Sequence, residues 1–293
     1  MIPSFPQKNL TVAVGGLGGS GTRLIAQILM EIGIYMGDDL NGVNDNLIFA
    51  RLLKNPPWLE SASKAEVNKR LEVFEHYMSG EKLIYTEISE YFKACRTNPT
   101  FLSNFNSLIA IVCTFQLLKR QALGRIKRHS EWGWKEPNNH IFIEYLVGYF
   151  SGIKYIHVVR HGLDMAYSKN KAQLKFFGKR FGIKVKDWSD DNEVTKKQLD
   201  YWIKTTETAI AKGKELLKER FYLLNYDMLC SQPAVEVPKL INFLGIQVNN
   251  QELEKLIMLP RVTSSQGRYK NHDLSLFTKE QISSVENLGF KVV

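Results

Sequence analysis

Two kinds of hydrophobic pattern follow one another along the chain and predict strands and helices in turn. Short apolar runs at residues 11–14 and 155–159 have the length and the β-branched content of buried strands. After the first run, Leu24, Ile25 and Ile28 recur with the spacing of one helix face. A length of 293 residues suits one α/β domain with insertions, or at most two domains.

The middle of the chain is predicted to be mainly helical. Helical periodicity dominates residues 41–130, with breaks at the proline-containing stretches 55–57 and 97–99. The longest apolar stretch, 108–118, is too short to span a membrane and predicts a buried helix. Residues 175–188 show little periodicity, and we expect them to form a loop over the site.

Residues 15–21 contain five glycines and separate the first predicted strand from the first predicted helix. A strand, a glycine loop and a helix in this order present backbone N–H groups and a helix N-terminus to a phosphate. Glycine is required because a Cβ would hold the anion away and disfavour a positive φ. The loop therefore predicts a phosphate-binding site.

Two common nucleotide-binding patterns fit this loop only in part. Residues 16–21 satisfy the Gly-x-Gly-x-x-Gly dinucleotide pattern, and Asp38 and Asp39 lie near the expected place of its ribose-binding acid. An NAD(P)-binding oxidoreductase is therefore one hypothesis. The ATP-binding Walker A pattern fails, because Thr22 and Arg23 occupy its lysine and hydroxyl positions.

A third pattern matches better and is supported by a second motif. The stretch Gly-Ser-Gly-Thr-Arg-Leu at 19–24 resembles the 5′-phosphosulfate loop of sulfotransferases that use PAPS (3′-phosphoadenylyl sulfate). Further on, Arg160 follows the second predicted strand, and Asp164 and Ser168 come on the helix predicted after it. This spacing resembles the 3′-phosphate motif of the same family. A guanidinium offers planar paired donors, and a hydroxyl adds a further bond to the same dianion.

The resemblance extends into the last third of the chain. Tyr226, Pro233 and the Phe-Leu-Gly sequence at 243–245 match a strand–helix segment of the family, whereas Met228 stands where many members have an acid. In some members the tyrosine reaches the adenine. Arg268, in a Gly-Arg-Tyr-Lys sequence, resembles the basic loop that closes on the 3′-phosphate.

The resemblance implies both a fold and a reaction. The implied fold is α/β with three layers, in which a mostly parallel sheet carries helices on both faces, as in the P-loop NTPase-like sulfotransferase fold. Residues 1–293 would form a single domain, and the helical insertion at about 41–130 would shape the acceptor site. The reaction would move a sulfuryl group from PAPS to a hydroxyl or amine and release PAP, without a metal. The acceptor stays open among glycan, lipid, peptide and small alcohol.

The resemblance also assigns roles to individual residues. The nucleotide-binding residues that it implies are Gly18, Gly19, Ser20, Gly21, Thr22, Arg23, Arg160, Ser168, Tyr226 and Arg268. Most family loops have a basic residue at the position of Gly19, which stabilises the bridging oxygen as the sulfuryl group leaves. Here Lys135, in a Trp-x-x-Lys-acid-Pro segment, is the favoured catalytic cation, and Arg23 is expected to bind the phosphosulfate. A non-catalytic PAP-binding module is the alternative.

A carboxylate is expected to take the proton of the acceptor. Several family members have a catalytic acid at about the distance of Asp38 and Asp39 past the glycine loop, and Asp39 is slightly favoured. Both residues also fit an ordinary turn, because Gly-Asp-Asp is turn chemistry. Glu87 is the reserve candidate.

Charge and cysteine content agree with an anionic ligand and suggest a compartment. The net charge of +9 suits the highly charged PAPS, and no nucleic-acid-binding motif is present. Cys95, Cys113 and Cys230 are scattered, without the spacing of metal ligands or of a disulfide framework. The first residues lack the features of a signal peptide. We therefore expect a cytoplasmic protein with no transmembrane segment and no nucleic-acid partner.

Overall fold

The structure, a computed structural model, describes residues 10–99, 106–123 and 129–293. Four strands form one sheet: β1 (Leu10–Gly16), β2 (Glu131–Lys135), β3 (Lys154–Val159) and β4 (Phe221–Asn225). The helices are α1 (Thr22–Glu31), α2 (Leu47–Leu53), α3 (Pro56–Ser61), α4 (Lys64–Ser79), α5 (Tyr85–Thr97), α6 (Asn106–Ala122), α7 (Ile143–Tyr149), α8 (Gly162–Ala166), α9 (Ala172–Phe177), α10 (Asp191–Leu216), α11 (Tyr226–Ser231), α12 (Pro233–Leu244), α13 (Asn250–Ile257) and α14 (Lys279–Asn287).

All strand pairs of this sheet are parallel, and the strand order is β2-β1-β3-β4. The register pairs Val14 with Lys135 and Gly16 with Val158. Because the strands are parallel, the loops that follow them all leave from one edge of the sheet. The order reverses at β1, and ligands of open α/β sheets bind at such a point, beyond the carboxyl ends of the strands.

Side chains of alternate strand residues pack into two separate cores, one on each face of the sheet. Val12 and Val14 of β1 pack in one core with Ile25 of α1, whereas Ala13 and Tyr155 belong to the other. This alternation is the period of two that a strand imposes on its side chains. The predicted α/β architecture, with helices on both faces of a parallel sheet, is confirmed.

The described residues between α1 and β2 form five helices, α2 to α6, as the periodicity predicts. One of its breaks is built as expected: the Asn55 side chain accepts the Trp58 N–H at 3.2 Å, and Pro56 follows at the first helical position. The prediction of a buried helix at 108–118 is correct for the helix and wrong for its burial. Ala110 and Cys113 of α6 are buried, but Phe115 is 65% exposed.

Two smaller expectations are also corrected. Within the segment 175–188, which we expected to lack regular structure, α9 extends to Phe177, and its Leu174 and Phe177 side chains are buried. A helix of six residues is too short to display a period in the sequence. The helix after β3 ends at Ala166, so that Ser168 lies in the following loop and not on the helix.

Candidate active site

A cavity of about 510 Å³ lies at the carboxyl edge of the sheet, within the size range of small-ligand sites. Its wall contains four basic side chains and one carboxylate among the described residues: Arg23, Lys135, Arg160, Arg261 and Asp45. These groups come from separate parts of the sequence, and the parallel sheet brings them together. The excess of positive charge favours an anionic ligand.

The glycine loop forms one wall of this cavity and makes a close backbone approach. Gly19 and Gly21 have φ values of +97° and +98°, in the left-handed region that favours glycine. Gly21 is the N-cap of α1 and offers no side-chain cap, so the first N–H groups of the helix lie at the cavity beside Thr22. The N–H of Gly18 donates to the Gln173 side chain.

We expect Gly21→Ala to damage this wall. A Cβ at this position would lie 2.0 Å from Cδ2 of Tyr226, and the residue would keep a strained positive φ. The expected cost is about 1–3 kcal/mol of stability, together with weaker binding of an anionic ligand in the cavity. Gly152→Ala is the control, because a Cβ there meets nothing within 4 Å. Equal melting temperatures of the two variants would contradict the close fit.

Arg160 is the central cation of the cavity and is only 4% exposed. Its Nη1 donates to the Gly19 carbonyl at 3.3 Å, and its Nη2 donates to the Ser265 hydroxyl at 3.0 Å. The buried Nε has no hydrogen-bond partner among the described residues. A buried polar group without a partner is rare and calls for an explanation. An anion bound in the cavity would supply one.

A loop near the C-terminus closes the cavity beside Arg160. Two carboxylates hold this loop in place. Asp164 accepts the Gly267 N–H at 2.8 Å and lies 3.5 Å from the Arg160 guanidinium. Asp227 accepts the Gln266 side-chain amide at 2.9 Å. The loop is therefore fixed to the segments that follow β3 and β4, which places Ser265 on Arg160.

The predicted nucleotide-binding residues fall into two groups. Those that line the cavity are Gly18, Gly19, Gly21, Thr22, Arg23, Arg160 and Tyr226. Ser20, Ser168 and Arg268 are not part of its wall, but each lies next to it. The Ser20 hydroxyl is buried and has no hydrogen-bond partner within residues 10–99, 106–123 and 129–293. The Ser168 hydroxyl accepts the Asn170 N–H at 3.3 Å, and Arg268 donates to the Ser265 carbonyl at 3.0 Å.

Lys135 lies at the carboxyl end of β2, and its side chain lines the cavity. The residue is 2% exposed, and its ammonium donates to the Val43 carbonyl at 3.0 Å and forms an ion pair with Asp45. A lysine so deeply buried requires such partners. Neither Val43 nor Asp45 was singled out in the sequence, because the two become site residues only through a turn of the chain.

The three carboxylates expected to act as a base have other partners, and none of them lines the cavity. Asp39 pairs with Arg51 and, at 2.9 Å, with Arg120. Burial alone would raise the pKa of Asp39, but the two guanidinium groups outweigh burial and hold this pKa below its usual range. Asp38 accepts a hydrogen bond from the Tyr77 hydroxyl. Both aspartates thus connect the loop after α1 to the helices around it.

Glu87, the reserve candidate, lies at the N-terminus of α5, where its carboxylate accepts the Ile84 N–H at 2.8 Å. It also contacts the His76 ring, and with Glu72 these residues form a group whose ligand atoms lie within 4.8 Å of one another. In the described part of the chain, this group is the arrangement with the composition of a metal site. None of its members lines the cavity.

The chain belongs to the Sulfotransferase family, whose sequence profile matches residues 12–250. The fold is similar to that of the sulfotransferase domain from the curacin biosynthetic pathway, which is 15% identical, with a TM-score of 0.51 over 97% of this chain and 99% of that one.

Two further solved structures are less similar. The sulfotransferase domain of the Synechococcus PCC 7002 olefin synthase is 14% identical, with a TM-score of 0.46 over 100% of this chain and 99% of its own. Sulfotransferase STF9 from Mycobacterium avium is 12% identical, with a TM-score of 0.47 over 97% and 76%. No curated protein matches the sequence. Among the described residues, no helix has the length and apolar character needed to cross a bilayer.

Proposed function

We propose that the protein is a PAPS-dependent sulfotransferase, which moves a sulfuryl group from PAPS to a hydroxyl or amine of an acceptor. The observation that carries this proposal is the buried Arg160 guanidinium, which lies in a cavity lined by the glycine loop and Lys135 and whose Nε finds no hydrogen-bond partner in the described part of the chain. The cavity has a cradle for one phosphate at the α1 N-terminus and a guanidinium for a second. PAPS carries a phosphosulfate at the 5′ position and a phosphate at the 3′ position of its ribose, and these two groups fit the two subsites.

In this proposal the chain positions the donor through groups on both sides of the cavity. Backbone N–H groups of residues 18–22 hold the 5′-phosphosulfate, with Arg23 as a further ligand, because a helix N-terminus and a glycine loop together favour anions. Arg160 and Ser265 hold the 3′-phosphate through charge-assisted hydrogen bonds. Arg268 and Ser168 lie next to this subsite, and the Tyr226 ring contacts the adenine.

Lys135 supplies the positive charge that Gly19 does not. PAPS, when bound, provides the activated sulfuryl group. Lys135 then stabilises the negative charge that develops on the departing 5′-phosphate. Catalysis of this type rests mainly on positioning and on electrostatic stabilisation, as in phosphoryl transfer. Lys135 lies at the end of a strand in the cavity wall, so its ammonium is already near the place where this charge develops.

We also propose that the whole chain acts as a single domain, and that the helical region α2 to α6 shapes the acceptor side of the cavity. Asp38 and Asp39 then serve as structural residues that brace this region through Arg51, Arg120 and Tyr77. The three cysteines of the chain are buried free thiols, which suits a reducing compartment such as the cytoplasm.

The rival functions differ in their ligands. An NAD(P)-binding oxidoreductase needs an acid for the ribose hydroxyls, and Asp38 and Asp39 are engaged elsewhere, outside the cavity wall. A non-catalytic module would bind PAP and leave PAPS intact. The glycine at position 19, where most family members have a basic residue, favours this alternative. Titration calorimetry with PAP and with NAD, both in the presence of EDTA, separates the first rival from the proposal.

We expect PAP to bind under these conditions and Arg160→Ala to weaken its binding about 100-fold or more, since the loss of one partner of a buried charge pair is costly. Arg96→Ala, which removes an exposed arginine of α5, should leave PAP affinity unchanged. Binding of NAD in place of PAP would refute the proposed function. So would equal PAP affinities of wild type and Arg160→Ala.

A further inference from the structure

The charged lining of the cavity contains one acid whose position points to a catalytic role. Among the described residues of the wall, Asp45 is the carboxylate, and the other charged groups are the four cations. Its partner Lys135 is the residue that, in the proposed function, faces the departing phosphate. Asp45 thus lies beside the place where the bond to sulfur breaks.

A tight turn formed by residues 41–45 fixes the direction of this carboxylate. The Asn41 side-chain oxygen accepts the Val43 N–H at 3.0 Å and the Asp45 N–H at 2.9 Å. The Asn41 amide donates to Oδ2 of Asp45 at 2.8 Å, and Oδ1 is the oxygen that pairs with Lys135. The two carboxylate oxygens therefore have separate partners. Asn41 holds Oδ2 within the turn, and Lys135 contacts Oδ1 at the cavity.

The turn is also joined to the strand that carries Lys135. The Asn46 N–H donates to the Lys135 carbonyl at 2.9 Å, and Leu40 and Asn46 form an antiparallel bridge. The Val43 carbonyl accepts a hydrogen bond from the Lys135 ammonium at 3.0 Å. Main-chain contacts thus hold the turn that carries Asp45 against the strand that carries Lys135, and the ion pair joins the two side chains in this structure.

We infer that Asp45 is the general base of the reaction and that its ion pair with Lys135 couples proton removal to donor binding. The inference rests on the proposed function. When Lys135 turns toward the 5′-phosphate of the donor, Oδ1 of Asp45 loses its partner while Asn41 still holds Oδ2. The carboxylate is then a stronger proton acceptor that is already aimed into the cavity.

The step balances in atoms and electrons. The O–H bond of the acceptor breaks, its proton passes to Oδ1 of Asp45, and its oxygen forms a bond to sulfur. The bond between sulfur and the bridging oxygen breaks, and its electron pair remains on the 5′-phosphate of PAP, where Lys135 offsets the charge. With an amine acceptor, an N–H bond breaks in the same way.

The test measures PAP affinity and PAPS turnover for wild type, Asp45→Asn and Glu60→Gln, with water as the acceptor so that no unidentified substrate is needed. We expect Asp45→Asn to bind PAP at least as well as wild type, since a negative charge leaves the cavity. Its conversion of PAPS to PAP should fall about 100-fold or more. Glu60 is exposed on α3, and its variant controls for the loss of an acidic charge.

The pH profile provides a second readout. Lys135 faces Asp45 directly, and Arg23, Arg160 and Arg261 share the cavity. Because the proposed base takes up the proton of the acceptor as a carboxylate, we expect the turnover of wild type to depend on pH in a way that the turnover of Asp45→Asn does not. An Asp45→Asn variant with wild-type turnover and pH profile would overturn the base assignment and leave the proposed function intact. A wild type that neither binds PAP nor consumes PAPS would overturn both.

Discussion

Lys135→Met is expected to lower the turnover of PAPS about 100- to 1,000-fold, the range found when one preorganised electrostatic donor is removed from an active site. Methionine keeps much of the length of the side chain and removes its charge. The ammonium acts on charge that develops as the sulfuryl group leaves, so the loss falls mainly on kcat. The affinity for PAP should change by less than about tenfold.

This split between turnover and binding separates a catalytic from a structural role of Lys135. Lys197→Met, which removes a half-exposed lysine paired with Asp200 on α10, is the control and should keep both turnover and affinity. Full turnover of Lys135→Met would show that Arg23 or another cation replaces the missing basic residue of the glycine loop. Thermal unfolding of both variants shows whether the half-buried Asp45, once it has lost its partner, destabilises the fold.

Asp39→Ala is expected to cost about 3–5 kcal/mol of stability, because it leaves two guanidinium groups without their shared partner in a poorly solvated place. The side chains of Asp39 and Arg51 are only 10% and 11% exposed. Such a loss is a large fraction of the stability of a typical domain. Urea unfolding at pH 7 measures it. Glu144→Ala, which breaks an exposed ion pair with Lys212, should cost less than about 1 kcal/mol.

The ion pairs of Asp39 with Arg51 and Arg120 also predict how the stability of the fold depends on pH. Because the pKa of Asp39 is lowered in the folded protein, its contribution is present above the unfolded value of about 4. The contribution is lost as the pH falls through the lower, folded value. The stability difference between wild type and Asp39→Ala should therefore shrink in acid. A difference that stays constant from pH 7 down to pH 3 would contradict the assigned ion pairs.

Local patterns predicted the parts of this molecule that depend on neighbours in the sequence. The strand at 154–159, the glycine loop and the first helix were predicted because each is a contiguous segment and because strands and helices differ in the period of their hydrophobic residues. Lys135, which lies at the carboxyl end of β2, was singled out by the family resemblance and not by a local hydrophobic period. Once the strands are parallel, their loops share one edge, so the clustering of Gly19, Lys135 and Arg160 follows from topology alone.

The positions of the carboxylates could not be predicted from the sequence. Asp39 and Asp45 lie on the same short loop, and both are aspartates near turn residues. The bridge between Leu40 and Asn46 reverses the chain, so that Asp45 meets Lys135 while Asp39 meets Arg51. Nothing in the local pattern records this reversal. The exposed Phe115 of α6 is a similar case, because periodicity identifies a helix and not the extent to which it is covered.

The most direct test supplies PAPS that is radiolabelled in its sulfuryl group, together with EDTA. It measures the release of PAP and the transfer of the label to a panel of hydroxyl and amine acceptors that includes glycans, lipids, peptides and small alcohols. We expect PAP release by the wild-type protein, label in at least one acceptor class, and loss of both in Lys135→Met. Binding of PAP without consumption of PAPS above the uncatalysed rate would contradict it, and would make the protein a nucleotide-binding member of the Sulfotransferase family without transferase activity.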